Sequence, residues 1–545
     1  MKLSKQDQEF RNPKLFYPDP KSVDLDRVLV NLFLLLRCNG TRPVSRGRPK
    51  AGVEKIEYHV DQLSKLAGVS GIAEHPEVAK GWLESDIFDI VNRGTSREAV
   101  SSLRPLHLDA HKLRVAKHCR DYNVADAIYA MLEFGERQTL ANLREYLDEG
   151  RDVRTSRFDG RTKLDLETLT VLKLAEGLPE LHPSPERAAS APPTCLGQAR
   201  VLCDDVQRLL SYRHAVPRPV MIDYLKTIFG LHVATYTLRL SAQLTGWIRD
   251  KAADQTCLAC PVHGSHSTPF ADCPYQLSFT IDMGGDFRSR MAQMAQESVS
   301  DAHGKLLDLI KALFTLNQLL RYARDERSLG IPDNPADVLK LLSEPVPDFQ
   351  PAFRARLKQL RAENESAEEE LPPEIRAIFD SGLPPFDLFI ELVTHLRQKH
   401  HLDYLTEMID KLFQKNTESG AMVQGKSRNN PRRWHLGGRL LEVLVQLAVL
   451  RWSEKNGKKS FYSEPILIED FLLWAEARYG LVIGGSKLGA GRVPVTMEEH
   501  RAFRDNVRAL KDRLREIGFY DDLSDAYIAQ TIRPRYPIDD RKEAR

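Results

Sequence analysis

The sequence predicts a mainly α-helical protein of several domains that ends in a winged helix-turn-helix and carries a small zinc-knuckle-like insertion. Apolar residues recur at helical spacing along most of the chain, as they do at residues 306–320, whereas continuous strand patterns are few. A chain of 545 residues corresponds to about three domains, because a domain commonly holds about 100–200 residues. No internal repeat of about 20–50 residues occurs, which argues against a solenoid.

Changes in composition divide the chain into five parts. We expect a helical N-terminal domain at residues 1–178, followed by a linker at 179–194 whose prolines and small residues disfavour regular structure. A helical middle domain at 195–417 carries the knuckle-like insertion, and a basic linker at 418–433 contains glycine, asparagine and proline. The winged helix-turn-helix domain takes residues 434–545.

The overall charge excludes a uniformly basic, histone-like protein. Lysines and arginines number 78 against 76 aspartates and glutamates, so the formal charge is +2 and any nucleic-acid surface must be local. The most apolar run, at residues 28–36, is shorter than the roughly 18–20 residues that a membrane span needs, and the N-terminus has no apolar signal core. Seven cysteines, an odd number, fit a reducing compartment. We therefore expect a cytoplasmic protein without a membrane partner.

The C-terminal residues follow the element order of a winged helix-turn-helix. An apolar helix is predicted at 439–452, and a short extended stretch follows at 458–465. A second helix is predicted at 468–479, with Gly480 as its C-cap. After a third helix, residues 519–528 suit a two-stranded wing.

The third helix starts at a capping box formed by Thr496 and Glu499, and it has two distinct faces. Apolar residues spaced 4, 3, 4 and 3 apart form a core-facing stripe, and five cations lie on roughly the opposite side. The stripe is Phe503, Val507, Leu510, Leu514 and Ile517, and the cations are Arg501, Arg504, Arg508, Lys511 and Arg515. We expect these cations to contact the phosphates or the major groove of double-stranded DNA. The alternative is a solvated face whose arginines pair with neighbouring acidic residues, in a winged helix that binds protein.

A second candidate DNA contact lies near the N-terminus. Residues 45–50 read Ser-Arg-Gly-Arg-Pro-Lys and contain the core of an AT-hook. The glycine keeps the backbone thin, the proline holds it extended, and the arginines can enter a narrow A·T minor groove. The expected DNA-binding residues are Arg46, Gly47, Arg48 and Lys50, with Arg37 and Arg42 adding phosphate-seeking charge nearby. The alternative is a chance match in a basic loop.

A candidate zinc knuckle lies in the middle domain. Cys257 and Cys260 are spaced as two thiolates that grip one tetrahedral zinc ion, and Cys273 adds a third. His263 completes a Cys₃His set, although the sequence leaves His266 open as the fourth ligand. We expect a structural zinc ion, because no glutamate stands beside the ligands as a general base. The alternative is a loop of free thiols.

Motifs of common enzymes are missing from the sequence. There is no Walker A string, no His-Glu-x-x-His and no Gly-x-Ser-x-Gly elbow, so we assign no catalytic residue and do not expect an enzyme. A catalytic set can still be scattered along a chain. A metal-dependent nuclease with unrecognised ligands therefore stays as one alternative.

The helical body, the basic third helix and the ending Ser-Asp-Ala-Tyr-Ile-Ala-Gln at 524–530 resemble accessory, non-enzymatic subunits of bacterial antiphage restriction systems. The chain is most similar to the G component of phosphorothioation-dependent restriction and to comparable proteins of methylation-associated defence. The resemblance covers under a quarter of the chain. It implies a partner of an ATPase or helicase that helps it engage foreign DNA.

These observations together favour a DNA-associated adaptor subunit of a multi-protein complex, with an ATPase, helicase or nuclease of the same system as its protein partner. The main alternative is a protein-assembly scaffold whose winged helix binds a partner chain and not DNA. Binding that weakens with salt separates the two, because only phosphate contacts release counterions from DNA.

Overall fold

The structure is a computed structural model, and most of the chain is helical in it. Within the described residues the chain forms 18 α-helices and five two-stranded sheets, so the predicted mainly α-helical class is confirmed. None of these helices is both long enough and apolar enough to cross a membrane. The described residues are 3–43, 55–65, 70–92, 98–176, 178–181, 191–266, 268–325, 330, 334–343, 349–365, 371–427, 429–455, 458–489, 491–520 and 531–539.

The described residues of the N-terminal part form six α-helices and one antiparallel hairpin. Its first helix begins at Leu25 and is capped by Asp24, whose carboxylate accepts hydrogen bonds from the backbone N–H groups of Asp26 and Arg27. A π-helical turn at Leu83–Ile87 leads into the hairpin, and a 3-10 helix covers Leu108–Leu113. The elements are α1 (Leu25–Arg37), α2 (Ile56–Ser64), α3 (Pro76–Trp82), β1 (Phe88–Asn92), β2 (Glu98–Leu103), α4 (Val124–Gly135), α5 (Arg137–Leu147) and α6 (Leu166–Ala175).

Three long helices form the centre of the molecule. They are α8 (Arg218–Arg249), α10 (Arg290–Asp325) and α15 (Pro385–Leu412), and they pack against one another. The other elements of the middle part are α7 (Leu196–Leu210), α9 (Gln255–Ala259), β3 (Phe279–Thr280), α11 (Pro335–Val338), α12 (Lys340–Ser343), α13 (Gln350–Glu365) and α14 (Pro373–Phe379).

Where the structure describes it, the C-terminal part combines three helices with short strands. Its elements are β4 (Met422–Gln424), β5 (Arg432–Trp434), α16 (Gly438–Ala448), β6 (Leu450–Lys455), β7 (Lys458–Ser463), β8 (Ile466–Leu467), α17 (Ile468–Tyr479), β9 (Leu481–Val482), α18 (Met497–Glu516) and β10 (Thr531–Ile532). The pairs β4–β5, β6–β7 and β8–β10 are antiparallel.

The three parts share one hydrophobic core. The N-terminal α4 packs on α7, the C-terminal α16 packs on α7 and α8, and β3 pairs in parallel with β9. A single cluster of buried apolar side chains extends from Leu3 to Ile532. Contacts therefore cross the predicted domain boundaries, which stay a prediction.

Several local predictions for the C-terminal part are confirmed. α17 has the predicted bounds, and Gly480 follows it with a φ of 77°, a conformation that favours glycine at a helix C-cap. Thr496 caps α18, because its Oγ1 accepts a hydrogen bond from the Glu499 N–H at 3.2 Å. Capping signals are local in sequence, and this explains why they locate helix ends correctly.

The predicted helix at 439–452 is wrong at its C-terminal end. α16 stops at Ala448, and the chain continues as strand β6. Trp452 faces Phe461 across the β6–β7 hairpin. Such an aromatic cross-strand pair stabilises the strand, so the chain forms β6 here and does not add another turn to the helix.

The winged helix-turn-helix itself is not established. β8 and β10 flank α17 and α18 in sequence and pair with each other, as strands of a winged helix do. Of the predicted wing at 519–528, residues 521–528 lie outside the described residues. α18 packs on α10, where Phe503 contacts a cluster containing Met291 and Met294. The winged helix therefore stays a prediction.

Candidate functional site

The helix α18 is held firmly against the body of the protein. Its Asn506 is buried, and its Nδ2 donates hydrogen bonds to the carbonyl oxygens of Ile281 and Ile483 at 2.8 and 2.9 Å. The Asn506 Oδ1 accepts a hydrogen bond from the Met283 N–H at 2.7 Å. The buried apolar side chains of the predicted stripe are Phe503, Leu510 and Leu514. This packing fixes the orientation of the opposite face.

The structure brings the five predicted cations together on that opposite face. Four of them are exposed and Lys511 is half-buried. The exposed ones are Arg501, Arg504, Arg508 and Arg515. We call these five residues the cationic face of α18.

Acidic neighbours accompany the cationic face. Arg508 Nη1 lies 3.3 Å from Asp505 Oδ1, and Arg504 Nε lies 3.9 Å from the same atom. Arg515 Nη1 lies 2.8 Å from Asp512 Oδ1. The side chains of Arg508 and Asp505 are 70% and 58% exposed, and an ion pair this exposed contributes about 0.2–1 kcal/mol or less. A phosphate can therefore replace the carboxylate at little cost.

Arg513 lies on the same helix but has a structural contact. Its Nη2 donates to Glu418 Oε2 at 2.9 Å, and the same carboxylate oxygen accepts from the Gly438 N–H at 2.8 Å. Arg513 thus ties the end of α18 to the start of α16. It is a natural control for the cationic face.

The predicted minor-groove arm cannot be placed by this structure. Arg46, Gly47, Arg48 and Lys50 lie outside the described residues. The expectation that Arg37 and Arg42 add phosphate-seeking charge is wrong. Arg37 Nη2 lies 2.9 Å from Asp109 Oδ1, and Arg42 Nη2 lies 2.5 Å from Asp121 Oδ2. Both guanidinium groups are mostly buried in these ion pairs.

The three cysteines of the predicted knuckle line one pocket. Cys257 lies in α9, Cys260 follows that helix, and Cys273 lies in the loop before β3. A fourth thiol, that of Cys195, lines the same pocket. Burial raises the pKa of the Cys257 thiol to about 12, and the thiols of Cys195, Cys273 and Cys260 add to the increase.

The predicted histidine ligand lies apart from these thiols. His263 and His266 are exposed, their ring centroids are 5.2 Å apart, and neither lines the pocket. As the described side chains stand, no group of three or more histidine, cysteine, aspartate or glutamate residues is arranged to hold a metal ion. Zinc and its His263 ligand stay predictions.

A buried polar network joins the middle and C-terminal parts. Asp205 Oδ2 accepts hydrogen bonds from His232 Nε2 at 2.7 Å and from the Tyr479 hydroxyl at 2.8 Å. Gln198 Nε2 lies 2.7 Å from His232 Nδ1, so the imidazole is neutral and donates only through Nε2. Burial would raise the pKa of the Asp205 carboxyl, but Arg478 and His232 lower it to about 2. The network is enclosed and has a structural role.

Comparison with known families decides the wider identity of the chain. A family model described as methylation-associated defense system protein MAD7 matches residues 5–536. The chain belongs to the MAD7 family. Of the two kinds of system in the predicted resemblance, methylation-associated defence is therefore confirmed. Neither the comparison with curated proteins nor that with solved structures gives a match.

Membership of the MAD7 family makes the chain a component of an antiviral defence system. The match extends far beyond the C-terminal residues on which the predicted resemblance was based, and it includes the cysteine pocket and the buried network.

Sequence reasoning missed two features of this MAD7-family chain. The thiol of Cys195 was not assigned, because it lies far from the Cys-x-x-Cys pair along the chain and no short spacing connects them. Arg478 was assigned no role within the predicted helix at 468–479, yet its side chain is only 1% exposed. No sequence pattern by itself identifies a buried arginine. The position of Arg478 between Ala477 and Tyr479 on an apolar helix is the one indication that its side chain is buried.

Proposed function

We propose that this MAD7-family chain is a DNA-associated adaptor subunit that binds double-stranded DNA through the cationic face of α18. In this proposal it assists an ATPase, helicase or nuclease of the same defence system in the cytoplasm. The observation that carries the proposal is the placement of five cations on the outer side of a helix whose inner side is firmly packed.

Preorganisation supports this function. The Asn506 hydrogen bonds and the buried stripe hold α18 in place, so the cations need no rearrangement of the backbone to meet phosphates. Their carboxylate partners are exposed and weakly bound. Contacts of this kind supply affinity and orientation, and they carry little sequence information.

The scaffold function remains the second candidate. The same cationic face could dock on an acidic partner chain. The ion pairs of Arg508 with Asp505 and of Arg515 with Asp512 favour this scaffold function, because they offset part of the positive charge that would attract DNA. A scaffold has no measurable affinity for DNA alone.

A salt series tests the proposal. Binding of the purified chain to a short duplex is measured by fluorescence anisotropy at increasing salt. Five phosphate contacts give a log–log slope of about −4 to −5, and Arg504→Ala/Arg508→Ala/Lys511→Ala should remove most of the binding and bring the slope towards about −2.

A matched control uses three cations elsewhere that also pair with nearby aspartates. Lys65, Arg249 and Lys340 pair with Asp61, Asp250 and Asp337, and all three are well exposed. Replacing them by alanine changes the net charge equally and should leave the slope unchanged. If both triple variants lose DNA affinity equally, binding depends on the total charge of the protein and not on the cationic face of α18. No binding by the folded wild type would favour the scaffold, and metal-dependent plasmid cleavage would favour the nuclease.

A further inference from the structure

Four of the seven cysteines line one pocket. Cys195 occupies the N-cap of α7, Cys257 lies within α9, Cys260 directly follows α9, and Cys273 comes from the next loop. The cavity between these residues is small. The volume open to the centre of a water-sized sphere is only about 20 Å³. That is room for about one water molecule or a single ion.

An arginine without a carboxylate partner is buried at the same place. Arg239 lines the pocket and is 2% exposed. Its Nη1 lies 3.7 Å from Cys273 Sγ, and its Cζ lies 3.5 Å from the centre of the Phe270 ring. Its Nε has no hydrogen-bond partner, and in the described part of the chain no acidic side chain forms an ion pair with it. A buried cation without a countercharge is costly, so negative charge beside Arg239 would be stabilised.

The position of Cys195 adds to the positive environment. The N-terminus of the 15-residue helix α7, where Cys195 is the N-cap residue, carries a partial positive charge. Arg239 and this helix terminus therefore stabilise negative charge from two directions.

We propose that Cys195, Cys257, Cys260 and Cys273 bind one structural zinc ion and that Arg239 is the buried countercharge of this centre. Binding deprotonates four thiols, so four protons leave as Zn²⁺ enters and the centre carries a net charge of −2. Four sulfur ligands suit zinc or an iron–sulfur cluster, and the small pocket suits a single ion. The thiols must turn towards a common point, because they do not converge as they stand.

This ligand set replaces the exposed His263 by Cys195. A closed four-cysteine site keeps no open coordination position, so the zinc has a structural role. It would fasten the segment around α9 to the N-terminus of α7. That segment already lies close to α7, where Arg200 Nη1 donates to the carbonyl oxygens of Cys260 and Val262 at 2.7 and 3.0 Å.

The test uses the full chain, produced in medium containing zinc. Elemental analysis should give one zinc per chain, and X-ray absorption should show four sulfur neighbours at about 2.3 Å with no nitrogen at about 2.0–2.1 Å. The sulfur count needs no variant, so it decides the ligand set even if a substituted chain fails to fold.

Variants then identify the fourth ligand. Cys195→Ala should lower zinc content several-fold after dialysis against a chelator, whereas His263→Ala should retain it. Cys203→Ala is the matched control, because Cys203 is buried on the same helix but does not line the pocket. A folded wild type without zinc, bound iron in place of zinc, or a three-sulfur, one-nitrogen shell that is lost with His263→Ala would each overturn the proposal.

Discussion

Arg478 on α17 donates from Nε to Asp205 Oδ1 on α7 at 2.8 Å, and both side chains are inaccessible to solvent. The same guanidinium also donates to Asp204 at 2.9 Å and to the carbonyl oxygen of Gly264 at 2.6 Å. One residue therefore joins the C-terminal part, the helix α7 and the segment that carries the cysteines. The C-terminal part is anchored to the body by buried charge as well as by apolar packing.

Removing this arginine should be strongly destabilising. Arg478→Ala leaves the carboxylates of Asp204 and Asp205 buried with less countercharge, and breaking a buried pair in this way costs about 3–5 kcal/mol. Urea denaturation followed by tryptophan fluorescence measures the loss in free energy of unfolding. Arg249→Ala, which breaks the exposed pair with Asp250, should leave the midpoint unchanged. Equal midpoints for Arg478→Ala and the wild type would contradict the structural role.

Buried neutral histidines should make the fold sensitive to mild acid. Burial lowers the pKa of His107 to about 3, of His111 to about 4 and of His401 to about 3. Between about pH 6.5 and pH 4 the unfolded chain binds protons at these residues that the folded chain does not, so stability falls as pH falls. Each histidine contributes up to about 1.4 kcal/mol per pH unit over this range, and the loss is absent above about pH 7.

A single substitution isolates one of these histidines. The His401 ring stacks on Phe10 with centroids 4.0 Å apart, so His401→Phe keeps an aromatic contact and removes the titrating group. The free energy of unfolding of this variant, measured from pH 8 to pH 5, should fall less steeply with acid than that of the wild type. His500→Phe, at an exposed position, should follow the wild type. Parallel curves for all three chains would show that His401 is not buried as a neutral group.

Features of the fold that depend on contacts between residues close in sequence could be predicted from the sequence. The ends of α17 and the start of α18 followed from Gly480 and from the Thr496–Glu499 capping box, which act within a few residues. The two faces of α18 followed from helical periodicity. The shortened α16 was not foreseen, because an apolar run that reaches Trp452 fits a helix or a strand equally well until its partner strand is known.

Long-range contacts account for the rest. Cys195 approaches Cys257 only because α7, α8 and the loop around α9 pack together, and no spacing in the sequence encodes that approach. Arg478 and Arg513 resemble the surface arginines around them, yet one is fully buried and the other is tied to Glu418. A charge pattern on one helix thus identifies a face, but the role of each arginine depends on elements distant in sequence.

The rigidity of α18 provides a test that does not change its charge. Asn506→Ala leaves two buried carbonyl oxygens and one N–H without this partner, and we expect a loss of at least about 2 kcal/mol in the free energy of unfolding. If α18 binds DNA, the variant should also bind the duplex more weakly, with an unchanged salt slope. A changed slope would mean that Asn506 affects the number of phosphate contacts.

The minor-groove arm predicts a dependence on base composition. Arg46→Ala/Arg48→Ala should weaken binding to an A·T-rich duplex more than to a G·C-rich duplex of equal length, because a narrow A·T minor groove concentrates negative potential. Anisotropy titrations with the two duplexes measure the ratio of affinities. An equal loss on both would make these arginines ordinary phosphate contacts.

Substitutions that remove a negative or a positive charge from α18 should distinguish DNA binding from a scaffold role. Asp505 pairs with Arg508, so Asp505→Ala removes a carboxylate that competes with phosphate and should strengthen binding to DNA. Arg504→Ala should reduce the magnitude of the salt slope by about 0.9, the value for one lost phosphate contact. Arg513→Ala removes an equal charge from the same helix, but its guanidinium is tied to Glu418, so the slope should stay near that of the wild type. If all three variants change the affinity for DNA only in proportion to net charge, the cationic face has no specific role in DNA binding. Docking on an acidic protein then becomes the better explanation of its five cations.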